Sequence, residues 1–392
     1  MTGMNGDSAA LKDTPSIGVG ILGYGYASRA HIVALKRIRE VYWPPAVLPR
    51  IVSICGRTES KVRDAAARYE IQKWFNDWRD MIKDPEIQVF DNCGSNDAHT
   101  DSCIEAARRG LHILCEKPMA RNTEEAKRML EAAREAGVKH MCGFNYRFVP
   151  AVRLAKELIS QGAIGEIYHL RGRYATDRAM DPNIPLRWLF MKPLAGSGAL
   201  GALGSHLIDL ARFLVGEPVA VMALAKTFVK RRRRMDSTEW GEVTVDDAVS
   251  SVIEFDNGAL GNLETSRFCA GRKNNQSFEI NGSKGSIYFD LEEMNRLRVY
   301  LAQEAVPSVA GFHDVLVTEG NHPYFKEWWP SGHTLGWEHT FINQMGHFLE
   351  AIVKDKPVEP WGATLEDGYR NVVICDAMLK SAELGKKVEV LY

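Results

Sequence analysis

Five short apolar runs fall within the first 150 residues: Ile17–Leu22, Ile51–Cys55, Ile87–Asn92, Leu111–Cys115 and Val138–Phe144. Each stops in glycine or polar residues. Between them lie segments whose apolar positions recur three and four apart, as in Ala30, Val33, Ala34 and Ile38, or over Ala98–Gly110 and Thr123–Ala136. Runs of buried-strand length alternating with helical periodicity predict an α/β unit with a doubly wound parallel sheet.

After Pro150 the periods change. Ala151–Gln161 reads as one helix, and then alternating runs take over at Glu166–Thr176, Val219–Val229, Ala248–Phe255, Ala259–Thr265, Ser277–Ile280 and Ser286–Phe289. Asn257-Gly258 and Asn281-Gly282 are hairpin signals. Val249, Ile253 and Phe255 alternate with Ser250 and Glu254, which gives one covered and one polar face. The second half is therefore expected to be an α+β domain with a large, open-faced antiparallel sheet, closed by helices near Phe341–Val353 and Leu365–Gly385. The expected boundaries are 1–148, with 1–15 a flexible tail, and 149–392, a substrate-binding and oligomerisation domain.

Composition narrows the class. At 392 residues and 45% hydrophobic, the chain can bury two cores, and 49 Lys+Arg against 50 Asp+Glu leave no field favouring nucleic acid or an anionic membrane. The basic run Lys230–Arg234, followed by Asp236 and Glu239, reads as a solvated loop. Seven scattered cysteines without a CxxC pair suggest reduced thiols. His333, Glu338, His339 and His347 have no metal-ligand spacing, so no metal is expected. Met1–Ser16 lacks an apolar signal segment and no run could span a bilayer, which makes the cytoplasm the expected compartment. The partner is expected to be small, and a sheet with one open face implies a homodimer or homotetramer.

The strand ends carry the chemistry. Ile17–Leu22 runs into Gly23-Tyr24-Gly25-Tyr26-Ala27-Ser28 and a helix. Gly23 allows the turn, Gly25 lets the backbone approach a pyrophosphate, and the helix start at Tyr26 and Ala27 offers free N–H groups. Such a dinucleotide usually meets an acid after the second strand. Here Gly56-Arg57-Thr58 stands there, which leans towards a 2′-phosphate; Arg57 stacking on adenine, with either cofactor bound, is the alternative. Asn96 and His99, on the loop after the third run, face the expected cofactor, although Asn and Asp also cap helices. Leu111–Cys115 delivers Glu116-Lys117-Pro118 at its C-terminal end, where ligands of open α/β sheets sit. A buried lysine there can lose its proton near neutral pH and accept one from a hydroxyl. Asn145-Tyr146-Arg147-Phe148 follows the fifth run on the same side, and His206 opens a helix after the glycine-rich Gly196–Gly204 segment. The aromatic stretch from His322-Pro323-Tyr324 to Trp337 suits either sugar stacking or a subunit interface.

Taken together, these residues resemble the glucose-fructose oxidoreductase, inositol dehydrogenase and rhizopine-catabolism (Gfo/Idh/MocA) family over nearly the whole chain. The marks are Gly23-Tyr24-Gly25, Asn96, Glu116-Lys117-Pro118, Asn145–Phe148, and His206 with Asp209. The Trp43-Pro44-Pro45 insert, Gly196–Gly201, Gly271-Arg272, Phe278-Glu279-Ile280 and His322-Pro323-Tyr324 look like the levoglucosan dehydrogenase branch. The resemblance implies a Rossmann domain, NAD or NADP, and oxidation of a pyranose hydroxyl, typically at C3, with an inositol or other cyclic polyol as the nearest alternative substrate. It implies Lys117 and His206 as the catalytic pair, with a cis Lys117-Pro118 bond. Cofactor positions are Gly23, Gly25, Tyr26, Ala27, Arg57, Thr58, Asn96, His99, Glu116, Lys117 and Asn145. Substrate positions are Lys117, Arg147, Tyr174, Asp177, His206 and Arg272. Two residues depart from the family pattern. Gly56 replaces the acid. Ala202 replaces an aspartate four residues before the histidine, leaving Asp209 as the nearest acid in sequence, or a slow or sugar-sensing form. An NAD-dependent glycosidase, oxidising C3 transiently, is a further reading.

Overall fold

The computed structural model describes residues 11, 13–235, 237–302 and 306–392; most of the expected tail, and Asp236, lie outside the described residues. The first sheet contains β1 (Ser16–Leu22), β2 (Leu48–Cys55), β3 (Lys73–Phe75), β4 (Val89–Asn92), β5 (His112–Cys115) and β6 (His140–Cys142), in the order β3-β2-β1-β4-β5-β6. All neighbours are parallel. The direction of strand order reverses between β1 and β4, so the C-terminal ends of these two strands open the crevice where such folds hold ligands. Helices α1 (Tyr26–Val41), α2 (Glu59–Tyr69), α3 (Trp78–Met81), α4 (His99–Arg108) and α5 (Thr123–Ala136) connect the strands. The last of these spans the residues its periodicity predicts. Asn122 accepts from the Glu125 N–H at its start, and Gly137 ends it at φ 65°.

Helix α6 (Pro150–Ser160) leads into the second sheet. Its strands are β7 (Ile167–Ala175), β8 (Pro218–Lys226), β11 (Ala248–Phe255), β12 (Leu260–Ser266), β13 (Asn275–Gly282), β14 (Gly285–Asp290), β15 (Arg296–Leu301), β16 (His313–Leu316) and β17 (Val388–Glu389). The separate pair β9 (Arg231–Arg233) and β10 (Trp240–Glu242) forms a small hairpin. The large sheet runs β16-β15-β14-β13-β7-β12-β11-β8-β17 and is antiparallel except for the parallel pair β7/β12. The expectation of an antiparallel sheet therefore needs one correction. β12 enters beside β7 after a long excursion rather than a hairpin, and it runs the same way.

One face of this sheet is covered by α6, α8 (Ser205–Leu214) and α10 (Leu365–Leu384), whose Val152, Leu207, Leu210, Ile374 and Met378 share a core with Val221, Val249, Ile253 and Phe255. The other face is bare, with Tyr168, Met222, Leu224, Val252 and Leu260 exposed. The short helix α7 (Lys192–Ala195) and a π-helical segment, Leu200–Gly204, precede α8. Helix α9 (Trp337–Val353) returns to the first sheet. Its Phe341, Ile342, Met345 and Phe348 pack with Ile32, Leu35 and Ile38 of α1.

The basic run is not a solvated loop. Arg231 and Arg233 point outward, but Arg232 is fully buried, donating to the carbonyls of Ala179, Asp181 and Ile184 and lying 4.4 Å over Phe190. Strand alternation accounts for this: one side chain in a run of arginines turns inward. The aromatic stretch is mostly tied to the core. Tyr324 accepts from Arg153, Trp328 donates to Asn343, and Trp329 stays exposed.

Candidate functional site

The glycine turn is built to receive an anion. Gly23 sits at φ 111°, and a Cβ there would press on the Cys93 carbonyl and Ser28 Oγ. A Cβ on Gly25 would meet nothing within 4 Å, so that backbone faces open space. Helix α1 begins there with no side-chain cap and no acid in its first turn, leaving its N–H groups free for a pyrophosphate. At the end of β2, Arg57 and Thr58 are exposed, and neither makes a side-chain hydrogen bond or ion pair among the described residues. Between the two lies a residue that sequence reasoning missed. The ring of Tyr24 lies directly on Gly56, where any Cβ would overlap it. A side chain at 56 would thus have to displace the Tyr24 ring. These features fit a bound dinucleotide.

Several expected contact residues are instead spent on the protein. Asn96 donates to the Ala195 carbonyl at 2.8 Å, and His99 faces the carbonyls of Pro118 and Gly94 at 3.1 and 3.3 Å. Burial lowers the pKa of His99. Asn145 donates to Thr340 Oγ1 of α9 at 2.8 Å. The expected role of Arg147 as a substrate contact needs correction. Its guanidinium is buried, grips Asp209 through Nε at 2.9 Å and Nη2 at 2.6 Å, and reaches Asp367 at 3.3 Å. Asp209 is therefore not free to act as a spare acid for His206. Asp177 pairs with Lys273 at 2.5 Å and Arg272 with Glu292 at 3.4 Å. Tyr174 is buried, bonded to Tyr146 Oη at 3.0 Å and to Asn274 at 2.9 Å, so it supports Tyr146.

Lys117 and His206 do come together, the lysine from the loop after β5 and the histidine from α8. The Lys117–Pro118 bond is cis, as expected, and the half-buried lysine donates from Nζ to the Ala202 carbonyl at 3.0 Å. That carbonyl belongs to the π-helical segment. Burial lowers the Lys117 pKa, Arg178 lowers it further, and Glu116 opposes both. His206 is held well below the usual histidine range by burial and then by Lys117, so its imidazole is neutral. Its Nδ1 is buried without a partner, and its ring lies 4.4 Å from that of Tyr146. The Ala202 side chain itself is exposed. Tyr26 reaches across the mouth to stack on Trp337 at 5.4 Å. Arg178, on the exposed turn after β7, acts electrostatically on Lys117, Tyr26 and Tyr174, which places it at the same mouth. No local pattern marked Arg178.

Glu116 faces inward, not towards the cofactor turn. Its Oε1 lies 3.1 Å from His31 Nε2, while its Oε2 accepts the Lys117 main-chain N–H at 3.2 Å. His31 Nδ1 in turn meets Asp91 Oδ1 at 2.9 Å and Oδ2 at 3.0 Å, with Cys93 Sγ at 3.2 Å. His31, Asp91 and Cys93 bring their polar atoms within 4.8 Å of one another. The spacing is that of direct hydrogen bonds; donors about 2.0 Å from a tetrahedral ion would stand roughly 3.3 Å apart.

The comparisons agree with this geometry. Residues 17–144 match the oxidoreductase family described as an NAD-binding Rossmann fold, and residues 152–288 match the GFO/IDH/MocA C-terminal domain. The chain is 39% identical to a levoglucosan dehydrogenase of Pseudarthrobacter phenanthrenivorans over 96% of its own length and 98% of the relative's. It is 29% identical to a myo-inositol 2-dehydrogenase of Thermotoga maritima over 69% of this chain and 75% of that one. A solved levoglucosan dehydrogenase in complex with NADH and levoglucosan superimposes with a TM-score of 0.92 at 40% identity, covering 96% of this chain and 99% of that one. Among the described residues no helix is long and apolar enough to cross a membrane. With both halves of the chain matched, the protein belongs to the Gfo/Idh/MocA family of NAD-binding oxidoreductases.

Proposed function

We propose that the protein moves a hydride between C4 of a nicotinamide and C3 of a pyranoside or anhydrosugar, with Lys117 accepting the proton of the reacting hydroxyl. The carrying observation is the convergence of a lysine whose pKa burial lowers with His206 and Tyr146, between the two domains. Bound dinucleotide supplies the hydride acceptor. Gly25, the α1 N-terminus, Arg57 and Thr58 are the residues that would hold it, and exposed Arg57 supports use of NADP alongside NAD. Lys117 takes the proton, while His206 and Tyr146 orient the hydroxyl. The levoglucosan relative supports an anhydrosugar substrate, and the inositol relative supports a cyclic polyol as runner-up.

A slow or sensing form is a second reading. Ala202 offers no acid, and the Nδ1 of His206 has no partner. A dehydrogenation screen of glycosides, anhydrosugars and inositols with each cofactor separates the readings, since a sensor binds without turnover and a glycosidase releases free sugar without net NADH. Lys117→Ala should cut turnover of the best substrate by roughly 10²- to 10⁴-fold with cofactor binding nearly intact; unchanged turnover overturns the assignment. The bare face carrying Met222, Leu224, Val252 and Leu260 supports self-association, to be read as a mass above one chain in light scattering.

A further inference from the structure

Beneath Lys117 lies a buried ionic row that the hydride-transfer reading does not use. Asp91 from the end of β4, His31 from α1 and Glu116 from the end of β5 are at most 8% exposed. Both nitrogens of His31 face carboxylates, at 2.9 Å and 3.1 Å. A neutral imidazole has one N–H, so it could serve only one of them; two carboxylates on two nitrogens require the imidazolium. Glu116 then ties the row to Lys117 through the lysine's own main-chain N–H.

We propose that Asp91, His31 and Glu116 form a buried charge brace in which Asp91 keeps a proton on His31 and the imidazolium screens Glu116 from the Lys117 amine. The three are positioning residues. The inference rests on Lys117 being the proton acceptor. The groups facing Lys117 are Glu116, the Cys142 thiol of β6, Arg178 after β7, His206 of α8 and the Ala202 carbonyl. Those facing His31 are Asp91, Cys93 and Glu116; His99 faces Glu116. Cys93, pushed up to about 12 by burial, is a neutral thiol and supplies no charge. Burial alone would strip His31 of its proton, and Asp91 is the largest influence restoring it.

Removing either carboxylate should therefore have opposite effects. In Glu116→Gln, Lys117 loses the negative charge that raises it, and its ionisation moves to lower pH. In Asp91→Asn, His31 becomes neutral, Glu116 is left unscreened, and Lys117 moves to higher pH. Each shift should be about one pH unit.

The test uses the cofactor-bound enzyme. Lys117 ionisation is read by ¹³C NMR of labelled lysine, and the acid limb of kcat/KM is followed in parallel, for wild type, both single variants and the double variant. Opposite shifts, with the Asp91→Asn effect abolished in the Glu116→Gln background, support the brace. Shifts in one direction, no shift, or an Asp91→Asn effect that survives without Glu116 overturn it. If Asp91→Asn does not fold, ¹⁵N-histidine spectra of the wild type decide: His31 must remain imidazolium between pH 6 and 8, and a neutral signal overturns the brace. If Lys117 ionisation moves as stated but the kinetic limb does not follow, the brace is supported and the assignment of Lys117 as proton acceptor fails.

Discussion

Placing an aspartate after β2 is the obvious way to turn a cofactor site towards NAD, and here it should fail on its own. The carboxylate at 56 would repel a 2′-phosphate and accept bonds from a free ribose. But the Tyr24 ring already occupies the space over Gly56 Cα, and a Cβ cannot be added without moving it. Gly56 is itself buried, with its N–H held by the Phe75 carbonyl, so the backbone has little room to yield. The ring must swing outward, towards the cofactor side of the turn. Overpacking of this kind costs about 1–3 kcal/mol, and because a cofactor must push the displaced ring back to seat on the turn, that cost falls on binding, about 5- to 150-fold in affinity. Gly56→Asp should thus weaken NADH and NADPH together by that factor. Gly56→Ala, which adds the overlap without the charge, should weaken both as well. Tyr24→Ala/Gly56→Asp removes the obstacle and should favour NADH over NADPH by at least about tenfold, or about 1.4 kcal/mol. Fluorescence titration of each reduced cofactor reads all four proteins. If Gly56→Ala binds both like wild type, or Gly56→Asp alone reverses the preference with undiminished NADH affinity, the Tyr24 argument is refuted.

Ala202→Asp, carrying a carboxylate beside the Lys117 amine and one turn before His206, should raise turnover by at least about tenfold with little change in cofactor affinity; steady-state kinetics showing an equal or lower rate would remove position 202 from the proton relay. Asp209→Asn should destabilise the protein by about 3–5 kcal/mol, because the buried Arg147 guanidinium loses its main partner, and urea unfolding will show this as a fall in midpoint. A loss of turnover without loss of stability would instead mark Asp209 as a relay acid. For pH, the folded-state pKa of His31 is raised above its unfolded value of about 6.5, so its contribution is whole below that pH and is lost as pH rises towards the folded pKa. His99, His112, His140, His206, His339 and His347 are shifted down, so they add stability as pH rises and their effect is complete only about one unit above 6.5. The other histidines cancel in a comparison with Asp91→Asn, so thermal unfolding between pH 6.5 and 8 should show the stability advantage of the wild type over that variant shrinking as pH rises; an advantage that stays constant contradicts a protonated His31.

Local pattern determined a good deal of this protein. Period-two and period-3.6 runs placed both sheets, and the inward Val249, Ile253 and Phe255 face outward Ser250 and Glu254 as alternation requires. Gly23, Gly25 and Lys117 were legible because a turn, a close approach and a strand end each demand a particular residue at a particular step along the chain. Strands β15, β16 and β17 and the parallel pairing of β7 with β12 were not. Short strands acquire their identity from a neighbour's edge, which lies far away in sequence.

What tertiary structure decided is the destination of polar side chains. Arg147 and Asp209 sit in motifs that suggest chemistry, yet each satisfies the other, because a buried charge must find its partner wherever the fold brings one. Arg232 left a basic surface run to close three carbonyls. The Tyr24–Gly56 contact joins residues 32 apart in sequence, and the His31–Asp91–Glu116 row spans three elements, so neither has a local signature. The sequence determined which groups could do chemistry. Only packing, by burying some charges beside ionic partners while the Lys117 amine hydrogen-bonds a main-chain carbonyl, decided which of them remain free to do it.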